Sequence, residues 1–279
     1  LNGRIYFNPQ TSEPKVIDIT MALNYTTYSA WYNMQVYSPN AKVRFRGGIF
    51  NCVSLAGAAE SPSTHPTKWE RIGDSYDDYA GQFSYAFNVI RIPPAAIPII
   101  TYDSDTTVNS NNVRGKLFKF AYRYRYFDDA YSVYSSLSDL AVPIDEEKYD
   151  GEILNAVTYN NRISITINSG SAALIKEIEL IYQESNGDWN KIDTIDRHEQ
   201  SKLADDSFTI YFYNNLTYEA VVNADVDKIY DVAPRTASCQ EIINKNILLY
   251  GRVKEGFDNI NPADLNVTLT PVQEEIILG

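Results

Sequence analysis

Residues 117–143 read LFKFAYRYRYFDDAYSVYSSLSDLAVP and carry the densest periodic signal in the chain. Aromatic side chains occupy every second position from Phe118 to Tyr126, and this alternation is typical of a long β-strand with one aromatic face. Asp128 and Asp129 interrupt the pattern before residues 131–134 resume it. The stretch therefore predicts a hairpin closed by a polar turn, which indicates architecture and not activity.

The composition favours strands elsewhere as well. The chain has 279 residues, enough for two or three domains with their own cores. Tyrosine is unusually frequent, with 22 residues against 11 Phe and 3 Trp. Its amphipathic ring suits half-buried strands and interfaces, so we expect extended β-surfaces that contact partners.

The charge argues against nucleic acid as a partner. The formal net charge is -12, whereas attraction to phosphate backbones requires clustered Lys and Arg. Arg123 and Arg125 form a short basic stripe, which we interpret as solvated residues on the outer face of the aromatic strand. The sequence lacks a run of about eighteen apolar residues, so we expect a soluble chain without a membrane span. The start at Leu1 instead of Met favours a piece of a longer protein.

Turn and linker residues divide the chain into four parts. Residues 79–100 return to alternation, and Pro93, Pro94 and Pro98 place this segment at a sheet edge or in an extended connector. An acidic linker at 145–150 opens the fourth part. The predicted parts are N-terminal strands at 1–20, a small β-unit at 21–80, one sandwich at 81–144, and a second sandwich with a strand extension at 145–279.

Individual strands follow from the alternation of apolar residues. The first two candidates form either a hairpin or an entry strand of a neighbouring sheet. Residues 237–243 are read either as a short helix or as a strand paired with 247–250, and the second reading is favoured. The predicted strands are 4–7, 15–19, 41–45, 49–55, 118–126, 162–168, 175–183, 189–195, 207–213 and 265–270.

The sequence contains no recognisable catalytic motif. A Ser-His-Asp triad needs a suitably placed His, but His65 and His198 are the only histidines and the chain has no Gly-x-Ser-x-Gly elbow. Cys52 and Cys239 are too few for a disulfide framework or a zinc site. No phosphate-binding glycine loop occurs, and 36 acidic residues make any carboxylate pair unspecific. The prediction is a non-enzymatic chain without catalytic residues, metal or cofactor.

Calcium is the one ion whose ligand types recur at close spacing. The two groups of oxygen donors lack the Gly and terminal Glu of an EF-hand loop, so we interpret them as solvated loops. The groups are Asp103, Asp105, Asn109 and Asn111 in one loop, and Asp225, Asp227 and Asp231 in another.

Residues 31–72 carry the order Trp, Tyr, strand, Gly-x-Phe-x-Cys, Pro, Trp-Glu, and this segment resembles a small carbohydrate-binding module attached to chitinases and phage tail proteins. In that family exposed aromatics after the Cys strand stack on sugars, whereas the corresponding positions 53–55 read Val-Ser-Leu here. The residues that the resemblance nominates for glycan or protein contact are Trp31, Tyr37, Phe50 and Trp69.

Residues 81–143 and about 155–222 resemble fibronectin type III sandwiches. The first carries the Tyr-Arg-Tyr-Arg-Tyr strand and its hairpin return. The second carries strands beginning at Ile163, Ile175 and Asp188. The resemblance implies tandem β-sandwiches but gives almost no information about function.

Two further runs, 112–126 and 231–257, resemble virion proteins of crAss-like Bacteroidetes phages, in particular their tail stabilisation or muzzle proteins. This resemblance implies a structural component of the virion tail that assembles through Tyr-rich β-surfaces with copies of itself and other tail proteins. The alternative is a module of a phage tail or adhesin that binds host-surface glycan through residues 31–72. An enzyme of unrecognised type is the third hypothesis.

Overall fold

A computed structural model describes residues 3–78, 81, 83–142, 159–197, 199, 202–203, 206–228, 234–244 and 247–254. Of the described residues, 39% lie in strands and 10% in helices, and the sheets are antiparallel. This confirms the predicted all-β class. The expected strand at 265–270 and the acidic linker at 145–150 lie outside the described residues.

The chain begins with a hairpin and a short helix. Strand β1 (Arg4–Phe7) pairs with β2 (Lys15–Asp18), so the hairpin reading of this part is confirmed. Helix α1 (Ile19–Thr27) follows, and its N-cap Asp18 accepts a hydrogen bond from the Met21 amide at 3.1 Å. This helix was not predicted from the sequence, because Ile and Thr, which are weak helix formers, obscure its helical pattern. Capping by Asp18 and burial of Met21 stabilise it.

The small unit is a three-stranded antiparallel sheet of β3 (Lys42–Phe45), β4 (Gly48–Cys52) and β5 (Trp69–Asp74). Arg46 and Gly47 connect β3 to β4 with φ angles of 45° and 78°. Two consecutive positive φ values match a tight hairpin turn whose twist suits antiparallel strands. This is the connection that the sequence predicts.

Seven strands form the sandwich, in two sheets of order β11-β8-β6 and β12-β10-β9-β7. Residues 83–98 do not form the alternating segment that the sequence predicts, because a 3₁₀ turn at Phe83–Phe87 precedes the first strand of the sandwich. The strands are β6 (Ile99–Asp103), β7 (Phe118–Tyr126), β8 (Arg162–Asn168), β9 (Ile175–Glu184), β10 (Trp189–Asp196), β11 (Ser207–Phe212) and β12 (Glu219–Ala220).

The predicted boundary at 144/145 is corrected by the strand pairing. Strand β7 pairs with β9 over nine residue pairs, and β6 pairs with β8 over five. Each pair joins a strand before the boundary to a strand after it. The segments 81–144 and 145–279 therefore contribute to the same two sheets, because the long pairing of β7 takes its partner from the later segment.

The aromatic face of β7 points into the core of this sandwich. Phe118, Phe120 and Tyr122 are fully buried, and they pack in one cluster with Ile165 of β8 and Phe212 of β11. Desolvation raises the pKa of Tyr122 above its ordinary value. The Tyr-rich face is thus core and not the partner-contacting surface that the sequence analysis expects, because the opposite sheet covers it.

The hairpin return after β7 has an unusual form, which we call the serine ladder (residues 132–141). At each rung a serine amide donates to a β7 carbonyl and the serine hydroxyl accepts from the amide of the same β7 residue, at 2.8 to 3.2 Å. The rungs pair Ser132 with Tyr124, Ser135 with Tyr122, and Ser138 with Phe120. Three residues of the ladder therefore span the same length as two residues of β7, which is about 6.6 Å along the strand.

The C-terminal part of the described chain holds a one-turn helix α2 (Asn223–Val226) and a hairpin of β13 (Cys239–Ile243) with β14 (Ile247–Gly251). The strand interpretation of residues 237–243 is confirmed. Asn8 ties this part to the N-terminal hairpin by donating to the Ala237 carbonyl at 2.8 Å.

Candidate binding groove

The core of the small unit holds most of the residues that were nominated for binding. Tyr37, Phe50 and Trp69 are only 4%, 0% and 2% exposed. The Trp69 ring lies edge-on to Tyr37 at 5.3 Å, and its Nε1 donates to the Glu60 carbonyl at 2.9 Å. Their role as contact residues is therefore corrected: a sheet of only three strands needs these large side chains to fill its interior, so they do not face a ligand.

The small unit does not close its core alone. Ala172 and Leu203, from the sandwich, belong to the same buried cluster as Phe50 and Trp69. Arg46 donates to the Leu203 carbonyl across this junction. The small unit is consequently fixed against the sandwich, and its remaining free surface is where a ligand can bind.

That free surface contains a groove of about 690 Å³, which is large enough for a small-molecule ligand. Trp31, the fourth nominated residue, lies in its wall and packs edge-on against Phe45 at 5.5 Å. Trp31 Nε1 is buried and has no hydrogen-bond partner within the described part of the chain. Next to it Tyr32 exposes an aromatic ring to solvent.

Arg44 supplies a second hydrogen-bond donor in the same wall. Its Nε donates to the Tyr28 carbonyl at 2.9 Å, and its guanidinium lies 3.8 Å above the Tyr25 ring. Nη1 of Arg44 is buried and lacks a partner among the residues that the structure describes. A buried donor without an acceptor is costly, so an acceptor group in the groove would be stabilised here.

Asp77 places a carboxylate on the groove. Burial raises the pKa of Asp77 above its ordinary value of 3.8, and Arg44 and the backbone amides of Arg46 and Gly47 partly oppose this rise. With Asp78 beside it, the groove carries two acidic and two basic side chains. Its formal charge is balanced, which suits a neutral polar ligand better than an anion.

Hydroxyl groups of Ser61, Ser63 and Thr64 also line the groove. The Ser61 hydroxyl lies 3.0 Å from those of Ser63 and Thr64, and the Thr64 hydroxyl is 3.0 Å from His65 Nδ1. His65 Nε2 is 3.6 Å from Glu60 Oε1, which is beyond hydrogen-bond distance. This arrangement has the residue types of a triad without its geometry, so it supports polar contacts to a ligand and not nucleophilic attack.

The oxygen atoms considered as calcium ligands already accept hydrogen bonds from neighbouring side chains. Asp103 accepts from Arg162 Nε at 2.8 Å, and Asp105 accepts from the Tyr213 hydroxyl at 2.7 Å. Hydrogen bonds from Thr107 and Tyr213 lower the pKa of Asp105 to about 2. In the second group Asp225 pairs with Lys228, and Asp231 lies outside the described residues. Within the described residues no group of three or more His, Cys, Asp and Glu side chains is placed to hold a metal ion.

Arg123 and Arg125 do not form a free basic stripe. Arg123 pairs with Glu179 at 2.8 Å and stacks on Tyr134, whose hydroxyl also donates to Glu179. Arg125 pairs with Glu177 at 2.7 Å. The expected location on the outer face of β7 is right, but carboxylates of β9 neutralise both cations.

No family model matches the chain, and no curated protein matches it either. Among the described residues, no helix has both the length and the apolar character needed to cross a bilayer.

Of the residues that line the groove, Trp31 was predicted from the sequence, whereas Arg44 and Asp77 were not. These residues come from separate stretches of the chain that meet only when β3 is in place. The only hint in the sequence was that Arg44 lies near the turn end of a predicted strand. A basic residue in that position is too common to indicate a binding site.

Proposed function

We propose that this chain is a non-enzymatic structural component of a bacteriophage tail, located in the virion and assembled with copies of itself and other tail proteins. The observation that carries the proposal is a set of apolar strand residues left in solvent, which mark interaction surfaces. These replace the Tyr-rich surfaces expected from sequence. They are Ile5, Phe7, Ile99, Ile242, Ile247 and Leu249.

A two-stranded hairpin such as β13–β14 is marginally stable without further packing. Its apolar residues are exposed on both of its faces, so burial against a neighbouring protein would stabilise it. The similarity to tail stabilisation and muzzle proteins in the runs 112–126 and 231–257 supports the same proposal.

Mass spectrometry of purified virions, with antibody labelling in electron micrographs, tests the proposal. We expect a fixed copy number at the tail. Absence from the particles, or hydrolysis of glycans, lipids or peptides that persists through repurification, would contradict it.

The second candidate function is recognition of a host-surface glycan by the small unit. The groove favours it, because Trp31 and Arg44 offer donors that no described residue pairs with, Asp77 offers an acceptor, and Tyr32 offers an exposed ring. A sugar hydroxyl both donates and accepts, so a neutral saccharide can satisfy all three groups.

A glycan array probed with the intact chain tests this candidate. We expect Tyr32→Ala to abolish binding while the urea midpoint of unfolding stays within the range of surface substitutions. Arg44→Ala should abolish binding as well but lower the midpoint, because the Tyr28 carbonyl loses its donor. Leu55→Ala is the matched control, since Leu55 is exposed at the position where the resembling family carries its aromatics. An array without any bound glycan would refute the candidate.

A further inference from the structure

Asn88 lies opposite Lys15, on the edge of β2 that β1 does not occupy. It directly follows the 3₁₀ turn Phe83–Phe87. The next amide, that of Val89, donates to the Pro14 carbonyl at 2.9 Å, and residues 15 and 88 form an antiparallel bridge. Directly opposite residues of such a bridge have their side chains on the same face, with Cβ atoms about 4.5–5.5 Å apart. The backbone therefore holds these two side chains together.

The two side chains are in direct contact. Lys15 Nζ donates to Asn88 Oδ1, the oxygen of the side-chain carboxamide. Because Oδ1 is bonded to Cγ, the lysine nitrogen lies beside the carbonyl carbon of an amide. Asn88 is only 8% exposed, so the contact is sheltered from water. An amine held against a carbonyl in this way is a nucleophile in position for acyl transfer, and such positioning greatly accelerates a reaction that is slow between free molecules.

Glu13 supplies a carboxylate at the same place. It lies two residues before Lys15, and side chains two residues apart in an extended chain share a face. Its Oε2 is 3.8 Å from Lys15 Nζ. This exceeds hydrogen-bond distance, but hydrogen bonds of catalytic groups commonly tighten as the reaction proceeds. The carboxylate is thus placed to remove a proton from the ammonium and to return it to a leaving group.

The environment of Lys15 differs from that of other lysines. The other lysines that form ion pairs between described residues contact Asp or Glu carboxylates, and a carboxylate anion resists attack by an amine. Their side chains are 22% to 46% exposed, against 18% for Lys15. Lys15 combines the lower exposure with a neutral carboxamide as its acceptor.

We propose that Lys15 and Asn88 join in an intramolecular amide bond, which the folded chain forms by itself. Glu13 takes a proton from the ammonium, and the freed electron pair of Nζ forms a bond to Cγ while the carbonyl electron pair moves to Oδ1. Glu13 then delivers its proton to Nδ2, the Cγ–Nδ2 bond breaks as the carbonyl re-forms, and ammonia leaves. Nζ releases a second proton, which the ammonia carries away. One ammonium group and one carboxamide give one amide and one ammonium ion, without an oxidant or a cofactor.

The bond would close a long covalent loop. Lys15 and Asn88 are 73 residues apart, and α1 and the three strands of the small unit lie between them. Like a disulfide, a cross-link of this kind restricts the unfolded chain and thereby favours the folded one. The loop also keeps the small unit from being drawn out when the chain is pulled at its ends. This inference goes beyond the proposed function and holds wherever the chain is located.

Mass spectrometry of the intact, unfolded chain tests the proposal. We expect the wild-type mass to be lower than the mass calculated from the sequence by that of one ammonia molecule. Trypsin should not cleave after residue 15, because the modified side chain no longer carries a charge. Tandem mass spectrometry of the digest should find residues 5–42 joined to residues 72–91 through Lys15 and Asn88.

Three variants separate the chemistry from folding. Lys15→Arg keeps the cation but lacks the amine, so it should show the full calculated mass and a wild-type circular dichroism spectrum. Glu13→Gln should fold as well but form the bond about 10²–10⁴-fold more slowly, seen as a smaller joined fraction in freshly purified chain. Lys176→Arg is the matched control, because Lys176 pairs with the Asp129 carboxylate at 2.8 Å and should not affect the loss of ammonia.

A wild-type chain with the full calculated mass overturns the proposal. So does an ammonia loss confined to a linear peptide, which indicates that an asparagine has closed onto its own backbone. A joined product in Lys15→Arg overturns the assignment of the nucleophile. An unchanged joined fraction in Glu13→Gln overturns the role of Glu13.

Discussion

Replacing Ser135 by alanine tests whether the serine ladder holds β7 in place. The Ser135 hydroxyl accepts from the Tyr122 amide at 3.2 Å and donates to the Ser136 carbonyl at 2.9 Å. Tyr122 is fully buried, so its amide would lose its acceptor where water cannot replace it. Leaving a buried donor unsatisfied costs about 1–3 kcal/mol, and we expect Ser135→Ala to lower the free energy of unfolding by that amount.

Ser136→Ala is the matched control, because Ser136 is the exposed neighbour of Ser135. Surface substitutions of this kind stay within about 0.5 kcal/mol of the wild-type chain. Urea unfolding followed by tryptophan fluorescence gives both values, since buried Trp189 packs with Tyr134 beside the ladder. Hydrogen exchange at the Tyr122 amide should also accelerate in Ser135→Ala. Equal stability of the two variants, with unchanged exchange, would refute the reasoning.

Three other predictions concern the core and the groove. Gly170→Ala should cost about 2–4 kcal/mol and Gly115→Ala about 1–2 kcal/mol in urea unfolding. Both glycines have positive φ, but only at Gly170 would a Cβ clash with the Ile175 side chain. Equal losses would contradict the clash. Trp69→Ala should lower the unfolding free energy by about 3–5 kcal/mol, and a loss within that of a surface substitution would show that Trp69 is not core. The pKa of Asp77 is raised on folding. The stability of the wild-type chain relative to Asp77→Asn should therefore be highest below pH 3.8 and fall as the pH rises through the raised pKa. Urea titrations at several pH values that show no such fall would contradict this assignment.

Alternation alone was sufficient to locate most strands. It identified β7 within a residue of its ends, and it gave the hairpin of β13 with β14. Period-two patterns report which side chains share a face, but they do not say what covers that face. For this reason the aromatic face of β7 was assigned to partners although β8 and β11 bury it.

The serine ladder could not be predicted by the same means. Ser132, Ser135 and Ser138 recur every third residue, and neither the strand period of two nor the helix period of 3.6 describes them. Their spacing has meaning only beside a strand whose amides they satisfy. The boundary at 144/145 failed for a related reason, because proline and acidic residues mark the end of a segment but not the partner of its strands.

The groove was harder to predict from the sequence than the strands, because its residues come together only in the tertiary structure. Trp31 was singled out through its aromatic ring, whereas Arg44 and Asp77 acquire a role only when the turn at Gly47 brings them together. Balanced charge in the groove is a property of several distant segments, so no local pattern contains it.

The serine ladder also constrains how this region can change in length. Three residues of the ladder span two residues of β7, so a single insertion in either one shifts every later serine away from its amide. Only a coupled change, three residues in the ladder and two in β7, keeps all rungs aligned. Descendants of this sequence with a longer or shorter hairpin should therefore differ by three residues in the ladder and two in β7, five in total. They should also gain or lose one serine of the ladder.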